Sequence, residues 1–144
     1  MDFGTTVLPD YIRFLMEIDL TEAEAESFRP VEHYATAAIV LANDYWSWPK
    51  EKAGFKGSKD TIWNLVTLLM RLRGVQEQEA REMVKGIAIE YEERAIQMCY
   101  ELVAAPGSAP SDSFRRFVHA YLLLMAGNNF WHATSPRYEM QSLV

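Results

Sequence analysis

Asn43-Asp44-Tyr45-Trp46-Ser47-Trp48-Pro49-Lys50-Glu51 sets an amide, a hydroxyl and a carboxylate at successive steps of four residues. Each such step advances a helix by about 40° beyond a full turn, so Asn43, Ser47 and Glu51 form one shallow stripe whose oxygens can converge on one ion. All three are hard oxygen donors, with one formal negative charge among them. That set suits Mg²⁺, which takes few protein ligands, retains waters and shares its other positions with phosphate oxygens. Lys50, next to the carboxylate, is a point charge able to meet the same phosphate. In isolation the triplet would equally describe the solvated face of an amphipathic helix. Asn, Asp, Ser and Glu at these spacings should nevertheless coincide in only about one chain in a thousand of this length.

Upstream, Ala37, Ala38, Val40 and Leu41 give this helix small and apolar packing residues, with Pro30 near its start and Lys52 near its end. Pro49 removes a backbone hydrogen bond and clashes with the carbonyl of Tyr45. It either kinks the helix and re-aims Glu51 or marks the helix end. Elsewhere the apolar spacing is helical and nothing alternates over a strand's length, which predicts an all-α fold. Pro9 opens a first helix with Tyr11, Ile12, Phe14, Leu15 and Ile18 as its core-facing stripe. Thr21-Glu22-Ala23-Glu24 has the pattern of a capping box for a short second helix.

After a loop at 53–59, a helix over about 60–73 presents Ile62, Leu65, Val66, Leu69 and Leu72 as core. A turn at Gly74 leads to a long helix over 77–104. The segment 106–112 has loop composition, and Ser111 or Asp112 can cap a final aromatic helix over about 113–133.

The chain has 144 residues, enough for one domain with a sizeable core. A net charge of −6, with only 14 scattered Lys and Arg, argues against a nucleic-acid partner, which calls for a basic patch. Cys99 is the single cysteine, most simply a buried thiol, so neither a disulfide framework nor a cysteine metal site is expected. This fits a reducing, cytoplasmic compartment. The longest apolar run, 121–126, is far short of the ~20 residues that span a bilayer. His33, His119 and His132 read as packing or surface residues rather than zinc ligands.

The chain's far end carries Asn129-Phe130-Trp131-His132-Ala133-Thr134-Ser135-Pro136-Arg137-Tyr138. A guanidinium grips diphosphate oxygens through a bidentate fork, although Arg137 by itself also reads as a terminal surface arginine. Phe130 and Trp131 are either ordinary core aromatics or the lining of an apolar pocket.

Together the two motifs resemble the class I terpene cyclases. In that family the metal-binding helix carries N-D-x-x-S-x-x-x-E with Lys commonly before the Glu, here Asn43, Asp44, Ser47, Lys50 and Glu51. The catalytic domain ends in an aromatic helix running into an Arg-Tyr pair, here Arg137-Tyr138. The wording is most similar to the cyclase half of fungal chimeric terpene synthases. The resemblance implies a helical bundle corresponding to the C-terminal half of the class I terpenoid synthase fold. Residues 1–144 would form a single partial cyclase domain whose aspartate-rich first half is absent, since no Asp-Asp pair occurs in the chain. Met1-Asp2-Phe3-Gly4 resembles the helix break where the family places a linking Asp and an effector Gly.

The same resemblance implies Mg²⁺ held by Asn43, Ser47 and Glu51, and a farnesyl, geranylgeranyl or longer prenyl diphosphate as substrate. Lys50 and Arg137 would lie on the diphosphate, and Tyr138 would hydrogen-bond the leaving group or nearby acids. Trp131 would line the pocket, where a ring face stabilises a carbocation. The expected function is ionisation and cyclisation in terpenoid biosynthesis, a lyase reaction, with this chain inactive alone. The alternative is a helical pseudoenzyme or interaction protein that docks a partner, pairs with the missing half or self-associates.

Overall fold

The computed structural model describes residues 7–55, 62–104 and 110–138. Among them are five α-helices and no strand, the all-α fold expected: α1 (Leu8–Leu15), α2 (Glu22–Gly54), α3 (Leu65–Arg73), α4 (Glu77–Ala104) and α5 (Asp112–Thr134). The Met1–Gly4 segment and the expected helix start at Asp60 lie outside the described residues.

The organising element is α2, a single helix of 33 residues. Its start is the expected capping box: Glu24 N–H donates to Thr21 Oγ1 at 3.2 Å, and Thr21 N–H donates to Glu24 Oε2 at 2.9 Å. Two expectations need correction here. Thr21 does not begin a separate short helix, and Pro30 does not begin the metal-bearing one; the helix runs through Pro30 without a break. An interior proline costs about 3 kcal/mol, but Phe28, Val31 and Ala35, all fully buried, form one face that spans Pro30 and would be disrupted by a break. Pro49 is likewise internal, and the helix continues to Gly54, which removes the helix-end alternative.

Two apolar clusters line α2. Phe28, Val31 and Ala35 pack with Ala95 and Cys99 of α4 and with Phe114, Phe117, Val118, Tyr121 and Met125 of α5. Phe28 meets Phe117 and Tyr121 edge-on, with centroids 4.8 and 4.9 Å apart, the arrangement that ring quadrupoles favour. Toward the other end of α2, Trp48 packs with Val66 and Leu69 of α3 and Ala80 and Val84 of α4. The start of α4 thus meets the end of α2 and vice versa, so the two helices are antiparallel. Trp48 Nε1 donates to Glu77 Oε1 at 2.9 Å, and Lys52 pairs with the same carboxylate. Cys99 is buried as expected, which pushes its thiol up to about 11.

The long helix over 77–104 and the Ser111 cap of α5 also match the sequence reading, with Phe114 N–H donating to Ser111 Oγ at 3.0 Å. Gly74 ends α3 in the left-handed conformation at φ 68°, a backbone that glycine adopts without side-chain strain. Two apolar stripes differ from expectation. No residue of α1 is buried: Tyr11, Phe14 and Leu15 are exposed, and only Ile12 and the following Ile18 reach the core. Eight residues supply one contact line, and in this helix Ile12 alone occupies it. Leu72 is also exposed, because α3 stops within a residue of it, at Arg73.

Candidate functional site

The site lies on the C-terminal third of α2, between the start of α3 and the end of α5. A step of seven residues returns to within about 20° on a helix, so Asn43 and Lys50 share one stripe and Asp44 and Glu51 a second. Ser47 falls between them. The outer stripe is exposed; Asp44 and Glu51 are half-buried against α3; Ser47 is buried.

Asn43 faces the end of α5. Its Nδ2 lies 3.2 Å from the Tyr138 hydroxyl, to which it donates, and 3.3 Å from His132 Nε2. The other ring nitrogen of His132, Nδ1, lies 2.8 Å from the carbonyl oxygen of Asn128. The Tyr138 ring stacks on His132 with centroids 5.0 Å apart, and Trp131 stands edge-on to both rings. Asn43, Trp131, His132, Arg137 and Tyr138 line one cavity of about 380 Å³.

On the inner stripe, Asp44 and Asn64 together cap α3. Asp44 Oδ2 accepts from Leu65 N–H at 2.8 Å, and Asn64 Oδ1 accepts from Val66 N–H at 2.9 Å. Asn64 Nδ2 reaches back to the Asp44 carbonyl at 2.9 Å and to Glu51 Oε2 at 3.1 Å. Burial pushes the Asp44 carboxyl up to about 6; the Leu65 hydrogen bond opposes this, and the nearby Glu51 charge adds to it.

Asn43, Ser47, Lys50, Glu51, Trp131, Arg137 and Tyr138 all have described positions. Asn43, Trp131, Arg137 and Tyr138 come together around the cavity, with the Arg137 guanidinium 5.9 Å from the centre of the Tyr138 ring. Glu51 instead turns toward Asn64 and α3. Lys50 is exposed, and Lys52 rather than Lys50 makes the ion pair at this end of α2. Trp131 is 49% exposed and lines the cavity, so it is not core; Phe130, at 71%, is exposed and neither core nor part of this lining.

Three features fit a small hard cation. Ser47 Oγ is buried without a hydrogen-bond partner among the described residues, and has not taken the helical alternative of bonding back to the carbonyl of Asn43. Both described contacts of the Asn43 side chain use Nδ2, so its oxygen is uncommitted. Glu51 gives one oxygen to Asn64 and keeps the other.

Residues 1–94 match the family described as Terpene synthase family 2, C-terminal metal binding. The chain belongs to this terpene synthase family. It is similar to the sesterterpene synthase btcA of Colletotrichum orbiculare, 35% identical over 88% of this chain and 18% of that protein. A bifunctional terpene synthase of Fusarium proliferatum is 33% identical over 93% of this chain and 18% of its own length. Quiannulatene synthase of Emericella variicolor is 30% identical over 94% and 19%. The chain thus spans less than a fifth of the length of these curated relatives. No described helix of this terpene synthase chain is long and apolar enough to cross a membrane.

Sequence reasoning missed three parts of the terpene synthase site. Asn64 precedes the apolar Leu65-Val66 pair, the placement of an N-cap, and that signal favours a helix start at 65 over one at 60. For His132, expected as a packing or surface residue, the structure gives a buried ring that also touches Asn43. Asp44 was part of the motif without a role, and the structure gives it one, as a cap of α3.

Proposed function

We propose that this chain is the metal-binding part of a class I terpene cyclase, holding Mg²⁺ on Asn43, Ser47 and Glu51 and receiving the diphosphate of a farnesyl, geranylgeranyl or longer prenyl diphosphate. The observation that carries the reading is the cavity where Asn43 of α2 meets Trp131, Arg137 and Tyr138 at the end of α5. Bound Mg²⁺ would supply charge neutralisation to the departing diphosphate. Arg137 offers its fork to the same oxygens, and Lys50, one helical stripe with Asn43, offers a second positive charge. Tyr138 accepts from Asn43, which leaves its own O–H free to donate to the diphosphate. The Trp131 ring presents an apolar, electron-rich face to the prenyl chain.

The 144 residues contain no Asp-Asp pair, so the chain alone is expected to bind without turning over. Calorimetry should show pyrophosphate binding that requires Mg²⁺ and is lost in Asn43→Ala. Binding that is absent, or unchanged in Asn43→Ala, would overturn the metal assignment. Geranylgeranyl diphosphate with Mg²⁺ should yield no terpene hydrocarbon from the isolated chain; formation of one would overturn the expectation of inactivity.

A second reading is an interaction protein. It draws on the exposure of Phe14 and Leu15 on α1 and of Trp63, Leu68 and Leu72 at α3. Sedimentation showing a strict monomer over a wide concentration range would count against it.

A further inference from the structure

We propose that His132 is a positioning residue for the metal site: it fixes which way the Asn43 amide points, so that the oxygen rather than the nitrogen of that amide is offered to the cation. The inference rests on the reading of Asn43 as a metal ligand and adds to it the device that makes an amide a dependable one. Asparagine presents two ends of similar shape and opposite chemistry. Only the oxygen binds a hard cation, so a freely turning amide would spend part of its time with N–H₂ directed at the ion.

The hydrogen-bond chain removes that freedom. His132 Nδ1 lies 2.8 Å from the Asn128 carbonyl oxygen, an atom that only accepts, so Nδ1 carries the hydrogen. In the neutral ring Nε2 is then a bare acceptor, and it faces Asn43 across 3.3 Å. An acceptor there selects the amide nitrogen of Asn43. The Tyr138 hydroxyl oxygen, at 3.2 Å, takes the second N–H of the same group. With both hydrogens committed, the oxygen of Asn43 is turned away from α5.

The opposite orientation would set the Asn43 oxygen against the lone pair of Nε2. His132 itself cannot turn over without losing the Asn128 bond, because the ring is buried at 3% exposure between the stacked Tyr138 and the edge of Trp131. Asn128 stands on the same helical turn, four residues before His132, so the frame is built into α5. An outer partner that orients a metal ligand by hydrogen bonding is a common support of metal sites, and its removal typically weakens metal affinity about 10- to 100-fold.

The test is a double-mutant comparison of Mn²⁺ affinity by electron paramagnetic resonance, with no turnover needed. His132→Phe should weaken Mn²⁺ binding about 10- to 100-fold. In the Asn43→Asp background both ends of the ligand are oxygens and no orientation is required, so adding His132→Phe should cost little further. Equal loss in both backgrounds would overturn the proposal, leaving His132 with a merely structural role. Wild-type affinity in His132→Phe, together with clear loss in Asn43→Ala, would also overturn it while sparing the metal site. Wild-type affinity in Asn43→Ala would instead overturn the site itself, and the proposal with it.

A second measurement needs no variant and holds if His132→Phe fails to fold. The ¹⁵N shifts of the His132 ring in the native protein should report the hydrogen on Nδ1 and a bare Nε2. The reverse tautomer would overturn the proposal.

Discussion

Asn64 donates to Glu51 across 3.1 Å, and through that bond the cap of α3 holds the carboxylate at the far end of the α2 motif. The same side chain caps Val66 N–H through its oxygen and is itself buried. Helix capping and placement of the carboxylate are therefore one hydrogen-bond system. Asn64→Ala should lower the unfolding free energy by about 1–2 kcal/mol, the upper range for a lost cap because a buried N–H is orphaned with it. Urea unfolding checks this, and an unchanged midpoint would show that the cap is redundant.

Asp44 gives a pH dependence whose sign can be worked out. Its carboxyl ionises at about 6 in the folded chain against 3.8 for the ordinary group. Between those values the folded state holds a proton that the unfolded state has released, so this residue's contribution to stability falls as pH rises from 3.8 to about 6. Asp44→Asn keeps an oxygen for Leu65 N–H and removes the buried charge. In metal-free protein the variant should gain on wild type across that window, reaching an advantage on the order of 1 kcal/mol above it once partial solvent screening is allowed for. Thermal melts of both proteins at pH 4 and pH 7.5 measure the difference.

Glu17 closes α1 in the left-handed region at φ 51°, with Glu17 N–H bonded to the Phe14 carbonyl at 3.4 Å and Ile18 N–H to that of Arg13 at 2.9 Å. This is the paired arrangement that usually takes glycine at the turn residue. Glu17→Gly should raise stability by about 0.5–1 kcal/mol by relieving the Cβ contact. A lower denaturation midpoint would show that Glu17 makes a compensating interaction.

Tyr121 is fully buried, and its hydroxyl has no hydrogen-bond partner among the described residues. Burial pushes its ionisation well above the ordinary range, so the group remains a neutral phenol. Tyr121→Phe retains the contacts with Phe28 and Phe117 and removes an unsatisfied polar atom. The variant should be about as stable as wild type or up to ~1 kcal/mol more so. A loss beyond ~1 kcal/mol in urea would mean that the hydroxyl is satisfied after all.

The features legible in the sequence were those carried by short-range signals. Thr21 with Glu24, Ser111 before Phe114, Gly74 after the last turn of α3 and the unbroken period of α4 each announce themselves within a few residues. The Asn43, Ser47 and Glu51 stripe is legible for the same reason, as helical geometry alone. What stayed hidden depends on partners far along the chain. Pro30 reads as a boundary until Phe28, Val31 and Ala35 are seen buried on both sides of it. The apolar residues of α1 read as core, yet α1 meets the rest of the fold through little more than Ile12. Asn43 and His132 stand 89 positions apart, and no local pattern couples them.

The central claim is that one cation sits on the C-terminal third of α2. Mn²⁺ added to ¹⁵N-labelled protein tests it directly, since a paramagnetic ion broadens the amide signals nearest to it. The account predicts selective loss of the signals around Asn43, Ser47 and Glu51 at the lowest Mn²⁺ levels, recovered by excess Mg²⁺ and abolished in Asn43→Ala. Broadening that begins on the Glu-rich α4, or that is unchanged in Asn43→Ala, would contradict it.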